Sequence, residues 1–265
     1  MKKNQIVLGL SSALVVLLLA TGCGSKSSGG GEGTVTSGSS TQERPGEKPD
    51  KLRPISLGKS EDFVVLAYSN ITSTAPSSIS GRVGLMPGTR DMLKLTDAEV
   101  AGGAPDIMAA DDETDPPNLL SNAKVDMVSA YTKAAGLTPD ADKQALNSSI
   151  GGKKLKPGIY KWSGDLTIGS DFSLEGDDKA IWIFKVPGHL KVSDGVKMVL
   201  NGGAKAANVY WQVAGSAVLE PTAEMSGNIL AQQFIELRSK SVLNGRAFAK
   251  NGYVSLNQAT VTKPQ

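Results

Sequence analysis

Between Ile181 and Val261 one short apolar phrase is written four times, with polar corners between the copies. Phe184-Lys-Val186-Pro-Gly188-His-Leu190-Lys-Val192 aligns without a gap on Trp211-Gln-Val213-Ala-Gly215-Ser-Ala217-Val-Leu219, 27 residues further on. Ile229-Leu-Ala231-Gln-Gln233-Phe-Ile235-Glu-Leu237 follows after 18 residues, and Ala247-Phe-Ala249 with Tyr253-Val254-Ser-Leu256 after 18 to 19 more. Self-similarity at about 20 residues per unit marks a solenoid, because a unit that short buries its apolar face only against a neighbouring copy.

Successive side chains of a strand point to opposite faces. Phe184, Val186, Leu190 and Val192 are therefore placed inside, with Lys185, His189 and Lys191 facing water. The inside positions stay apolar in every copy: Trp211, Val213, Ala217 and Leu219, then Ile229, Ala231, Ile235 and Leu237, then Ala247, Ala249, Val254 and Leu256. Glycines at 188, 202, 203, 215, 227, 245 and 252 suit a chain that must turn several corners. An antiparallel sandwich also spaces its strands regularly, yet it gives no reason for the same phrase to recur.

Upstream, Met1 to Ala20 carries Lys2 and Lys3 and then an apolar run from Ile6, followed by Thr21-Gly22-Cys23. That layout reads as a secretory signal rather than a membrane span. Cys23, the only cysteine, stands where the lipobox of bacterial lipoproteins places its lipidated residue. Residues 1–23 resemble such a signal, apart from Ala20 where Leu is commonest. The resemblance implies a lipid anchor at Cys23 and a place in the cell envelope, with Gly24 rather than Asp after the cysteine pointing to an outer membrane. With no second cysteine there is no disulfide to staple the domain. Residues 24–54 are rich in Gly, Ser, Pro and charge and poor in apolar groups, the composition of a disordered tether. Its reach is on the order of 30 Å. Lys2 and Lys3 leave with the signal, which brings the 28 basic residues level with the 26 acidic ones. A nucleic-acid partner is not expected of so neutral a chain, and the membrane is met only through the lipid.

Residues 55–265 form one sizeable domain. Phe63-Val-Val-Leu-Ala67 reads as a buried strand, and the Ser/Thr-rich stretch to Gly84 alternates small polar with apolar residues. Asp111, Asp112, Glu113 and Asp115 lie in a row without the turn glycine of a calcium loop, so a solvated loop is expected and no metal. Leu120, Ala123, Met127, Ala130, Tyr131 and Ala134 recur at steps of three and four, which predicts one helix over about 118–135 that covers a side of the solenoid.

Taken together, Phe63-Val-Val-Leu-Ala67, Leu155-Lys-Pro-Gly-Ile-Tyr-Lys-Trp162, Ile181-Trp-Ile-Phe184, Asn208-Val-Tyr-Trp-Gln-Val-Ala-Gly215, Gly227-Asn-Ile-Leu-Ala231 and Leu243-Asn-Gly-Arg-Ala247 resemble the bacterial and fungal ice-binding family. The resemblance spans 57–264. It implies a β-solenoid of triangular cross-section with one long helix alongside, and an N-terminal coil stacked near the C-terminal ones. The implied function is non-catalytic binding of ice, with ice or another extended surface as the ligand and no cofactor. A surface lipoprotein that binds glycan or protein through the same prism is the alternative.

In active members of that family the ice face often carries Thr-Ala/Gly-x-Thr/Asn on successive coils. Threonine suits the task because its hydroxyl and methyl sit on a stiff side chain and stacked strands repeat it about every 4.7–4.9 Å. Gly164-Asp-Leu-Thr167 keeps one threonine, while Gly188-His-Leu-Lys191, Gly215-Ser-Ala-Val218, Gln233-Phe-Ile-Glu236 and Gly252-Tyr-Val-Ser255 do not. The richest hydroxyl cluster lies instead in the first coil, where Ser and Thr also serve as corner residues. Thr72, Thr74, Ser78, Ser80, Thr167, Ser216 and Ser255 are the candidate ice-facing residues. Catalysis has little to work with: His189 is the only histidine, and Asp165, Asp171, Glu175, Asp177 and Asp178 fall at Gly-containing corners.

Overall fold

The computed structural model describes residues 52–113, 118–147 and 149–265; the signal, Cys23, residues 24–51 of the expected tether and Asp115 lie outside them, while Leu52, expected in the tether, packs half-buried against the helix-side core and so belongs to the domain. The described chain coils into a prism with three walls of parallel strands. On the first wall the strands run, in spatial order, Ile107–Ala109, Arg82–Leu85, Phe63–Ala67, Val242–Ala249, Glu224–Ala231, Val209–Val213, Trp182–Val186 and Gly158–Lys161. The second wall follows the order Leu93–Lys94, Ile71–Ser73, Val254–Leu256, Ile235–Leu237, Ala217–Leu219, Leu190–Val192 and Leu166–Ile168. Ser78–Ser80, Thr260–Thr262, the first halves of the two eight-residue strands, Met198–Asn201, Phe172–Glu175 and Lys154–Leu155 make the third.

The repeat offsets are the strand registers. Phe184 pairs with Trp211, Trp211 with Ile229 and Ile229 with Ala247, while Leu190, Ala217, Ile235 and Val254 pair in turn on the second wall. Stacking is discontinuous in sequence, as the resemblance implies. Val65 pairs with Ala247, Ile71 with Val254 and Ser78 with Thr260, so the N-terminal coil lies on the last one. All the positions placed inside by alternation are buried at 1% exposure or less. At one end aromatic rings fill the prism, with Phe184 stacked on Trp211 at 4.1 Å between centroids and Phe172 meeting Trp211 edge-on at 6.3 Å.

Leu119–Gly136 is the helix, within a residue of expectation. Leu120, Ala123, Met127, Ala130 and Ala134 face the first wall, where they meet Leu66, Phe248, Leu230, Tyr210, Ile183 and Ile159. Alanine at three of the five helix positions lets the axis approach closely, and the strands beneath are buried on both faces in consequence. Lys185 corrects a sequence expectation. It points outward but is buried, because the wall it points from is the covered one, and its ammonium donates to the Leu137 carbonyl beyond the helix. Burial, with Lys161 nearby, lowers its pKa.

Two corners rest on very few residues. Gly227 and Gly245 pair where the long strands bend from the third wall to the first; Gly227 has φ +112°, and a Cβ on Gly245 would stand 1.9 Å from the Gly227 carbonyl oxygen. Glu99 holds the other corner: Oε1 accepts the Ser77 amide at 2.8 Å and Oε2 the Thr96 amide at 2.7 Å. Burial works to raise its carboxyl, but hydrogen bonds from Ser73, Thr96 and Ser77 outweigh it and hold the pKa below the ordinary value. The stabilisation is thus complete above the ordinary glutamate value of about 4.3 and is lost as pH falls through the lower folded one. Glu99→Gln, which leaves an amide donor facing donors, is expected to cost about 1–2 kcal/mol at neutral pH. Melting curves against pH should show the gap between native and variant closing on acidification.

Candidate functional site

Of the three walls the first is closed by the helix, which leaves two flat faces for a ligand. On the second wall the outward residues form three in-register columns. The middle one reads Lys94, Thr72, Ser255, Glu236, Val218, Lys191 and Thr167. Thus the five positions compared with the family's threonine array do lie in one ladder, and Thr72 extends it. Two residues before them on each rung stand Asn70, Tyr253, Phe234, Ser216, His189 and Asp165, and two residues after them Thr74, Asn257, Arg238, Glu220, Ser193 and Gly169. Rungs about 4.7–4.9 Å apart, with outward residues about 6.6 Å apart along each strand, make a regular grid.

The seven candidates do not gather on one face. Thr72, Thr74, Ser255 and Thr167 present side chains on the second wall, the first three at one end and Thr167 on the last rung at the other. Ser216 belongs to the same wall but is 1% exposed, and its hydroxyl donates to Gln233 Oε1 at 3.0 Å. It is a corner group and leaves the set of contact residues. Ser78 and Ser80 face outward from the third wall instead. Within the first-coil cluster, corner chemistry claims Ser73 and Ser77: Ser73 Oγ donates to the Ala75 carbonyl at 2.8 Å, and Ser77 Oγ accepts the Ala259 amide at 3.2 Å.

Charge divides the second wall. Lys191 Nζ lies 3.0 Å from Glu220 Oε1, Arg238 bridges Glu220 Oε2 at 2.7 Å and Glu236 Oε2 at 3.1 Å, and the Tyr253 hydroxyl donates to Glu236 Oε1 at 3.0 Å. Burial pushes the Glu220 carboxyl up, but the hydrogen bonds from Lys191 and Arg238 prevail and lower its pKa; hydrogen bonds to Glu220 and Glu236 raise that of Arg238. Phe234 and Tyr253 stack with 4.9 Å between centroids and 4° between planes, so the rings follow the ladder. Uncharged polar groups occupy the two rungs at the Thr72 end: Asn70, Thr72 and Thr74 beside Tyr253, Ser255 and Asn257.

Across the adjacent corner, the third wall carries Ser78 and Ser80, Thr260 and Thr262, then Val242 and Asn244, before the Glu224–Lys197 ion pair at 2.7 Å. Thr260 and Thr262 escaped the sequence reading, although one more step of 18 from Val242-Leu-Asn244 lands on Thr260-Val-Thr262. The corner carboxylates act on the backbone: Asp165 accepts the His189 amide at 2.7 Å and Asp171 the Lys197 amide at 2.8 Å. His189 itself accepts the Ser216 amide on Nδ1 at 3.1 Å. In the acidic run, Asp111 accepts the Arg90 amide and Asp112 binds the Arg90 guanidinium.

Comparison with known proteins points the same way. An ice-binding protein of Flavobacterium frigoris is 38% identical over 232 residues, covering 86% of this chain and 83% of its own. The crystal structure of a glycosylated ice-binding protein from an Arctic yeast superimposes with a TM-score of 0.76 at 32% identity, over 82% of this chain and 96% of that one. A domain of Shewanella frigidimarina ice-binding protein 1 gives a TM-score of 0.73 at 30% identity, over 81% and 98%. With the ice-binding-like family profile also matching residues 65–262, the chain belongs to that family.

Proposed function

We propose that this protein binds ice through its second wall, with the contact centred on Thr72, Thr74 and Ser255 and with Asn70 and Asn257 beside them. The observation that carries the reading is the seven-rung wall that the helix leaves open, its outward side chains held in backbone register. Ice presents a periodic, rigid surface, and water bound in a matching grid loses little further freedom when it joins the lattice. A hydroxyl on a strand of a buried coil is such a grid point, because Ile71, Val254 and Leu256 beneath it are fully buried and hold the backbone still. The relatives named above are called ice-binding proteins, and family membership supports the same activity here.

Thermal hysteresis and ice recrystallisation assays on residues 52–265 test the proposal. Thr72→Lys/Ser255→Lys is expected to lower both activities by about tenfold or more, the equivalent of roughly 1.4 kcal/mol of adsorption, with an unchanged melting temperature because both sites are solvent-facing. Absence of any effect of the native protein at high concentration would sink the ice reading; full activity in the variant would move the site off this wall. We propose in addition that Cys23 carries the lipid and that the 24–54 tether holds the prism away from the membrane. Cys23→Ala should then release the protein into the soluble fraction and abolish incorporation of labelled fatty acid.

A further inference from the structure

We propose that the chain of charges Lys191–Glu220–Arg238–Glu236 sets the strength of ice adsorption by confining the contact to the two hydroxyl rungs at one end of the second wall. This rests on that wall being the ice face. The four side chains occupy three successive rungs, those of Leu190–Val192, Ala217–Leu219 and Ile235–Leu237, and the hydrogen bond from Tyr253 carries the chain on to a fourth. They do not lie equally. Glu220 and Glu236 are pressed against the wall, with side chains 14% and 25% exposed, whereas Lys191 and Arg238 stand off it at 53% and 48%.

Two consequences follow for an approaching lattice. First, each cation carries a long stem that stands off the wall, so a flat crystal plane cannot settle onto the three rungs that the chain of charges crosses. Second, a charged head orders its own hydration shell, and surface ion pairs are too weak to release it. Removing those waters, or freezing them in place, opposes adsorption. On the far side of the hydroxyl rungs stands exposed Lys94, the register partner of Thr72. Contact is therefore limited to a window two rungs wide, between Lys94 and the Glu236–Arg238 pair. The network is neutral as a whole, so it does not act by drawing ions to the face.

The test is a wall with the charges removed and the hydroxyl grid extended: Lys191→Thr, Glu220→Thr, Glu236→Thr and Arg238→Thr together, in the full chain. Threonine suits the strand positions 191 and 236, residues 220 and 238 follow directly on strands, and circular dichroism would verify the fold. Expected is a thermal hysteresis that reaches the native value at about one-tenth of the protein concentration. Should the quadruple variant fold poorly, Glu236→Thr/Arg238→Thr removes half the chain and is expected to give a smaller gain in the same direction. A second variant separates charge from mere disturbance. Reversing the network as Lys191→Glu, Glu220→Lys, Glu236→Arg and Arg238→Glu keeps every opposite-sign pair, and its hysteresis should stay near native. Activity equal to native in the neutralised wall overturns the inference, while loss of activity in Thr72→Lys/Ser255→Lys still upholds the wall itself as the ice face. If neither set of variants changes the activity of the native protein, both the inference and the choice of wall are wrong.

Discussion

Trp211→Ala is expected to cost about 3–5 kcal/mol, enough to remove a large part of the stability of a domain of this size. Trp211 is fully buried, lies between Phe184 and Ile229 in the central ladder of the prism, and donates its indole N–H to the Ser226 carbonyl at 3.1 Å. Truncation removes the stacked contact with Phe184 and the edge contact with Phe172, leaves a buried carbonyl without that donor, and opens a cavity that rigid rungs cannot close. Trp211→Phe should recover most of the packing and lose the hydrogen bond, at a cost of about 1–3 kcal/mol. Chemical denaturation of both variants gives the order directly. A loss of under 1 kcal/mol in the alanine variant would mean that the coils relax independently and that the prism is not one cooperative core.

Arg246→Met is expected to lower stability by roughly 3 kcal/mol or more, by breaking a buried charged network from one side. Arg246 is 6% exposed in the strand against which the N-terminal coil pairs. Its guanidinium donates to the Phe63 carbonyl at 3.2 Å, the Glu61 carbonyl at 3.1 Å and Asn228 Oδ1 at 2.9 Å. Asn228, with no exposure, passes its own amide protons to the Ala207 and Val209 carbonyls. One side chain therefore joins the last coils to residues 183 to 185 positions earlier in the chain. Burial lowers the Arg246 pKa, with Glu61 opposing. The damage should be local: amide exchange in Arg246→Met is expected to accelerate first in Phe63–Ala67 and Ile71–Ser73, the strands whose docking it secures, before the aromatic end of the prism. Ice activity should fall with it, since Thr72 and Thr74 ride on that coil.

These two sites show how far the amino-acid order can be read unaided. Trp211 was legible as interior because a solenoid writes its core into a repeat. When Phe184, Trp211, Ile229 and Ala247 recur in one phrase, alternation places all four, and their strand register follows from the offsets. The helix stripe from Leu120 to Ala134 was legible for a similar reason, as a local period. Arg246 was not. A lone arginine in a strand of small residues carries no sign that Glu61 and Phe63 will return beside it, since that contact depends on the N-terminal coil docking out of order.

Lys185 failed for want of the same information, because its direction follows from alternation while its burial follows from what covers the wall. The candidate ice residues divided likewise. Residue type and spacing selected hydroxyls on or beside the outer strands, but Thr72 and Thr74 turn one way from the corner and Ser78 and Ser80 the other, and Ser216 is buried and closed in by Gln233.

Local periodicity and repetition, then, determined the coils, their register, the interior and the helix, since each is an interaction between neighbours in the chain or between copies of one phrase. Which wall stays open, which hydroxyls share it and which charges cross it were decided only in the folded prism. Those are relations between segments as far apart as Ile71 and Val254, and no local pattern records where the far segment will lie.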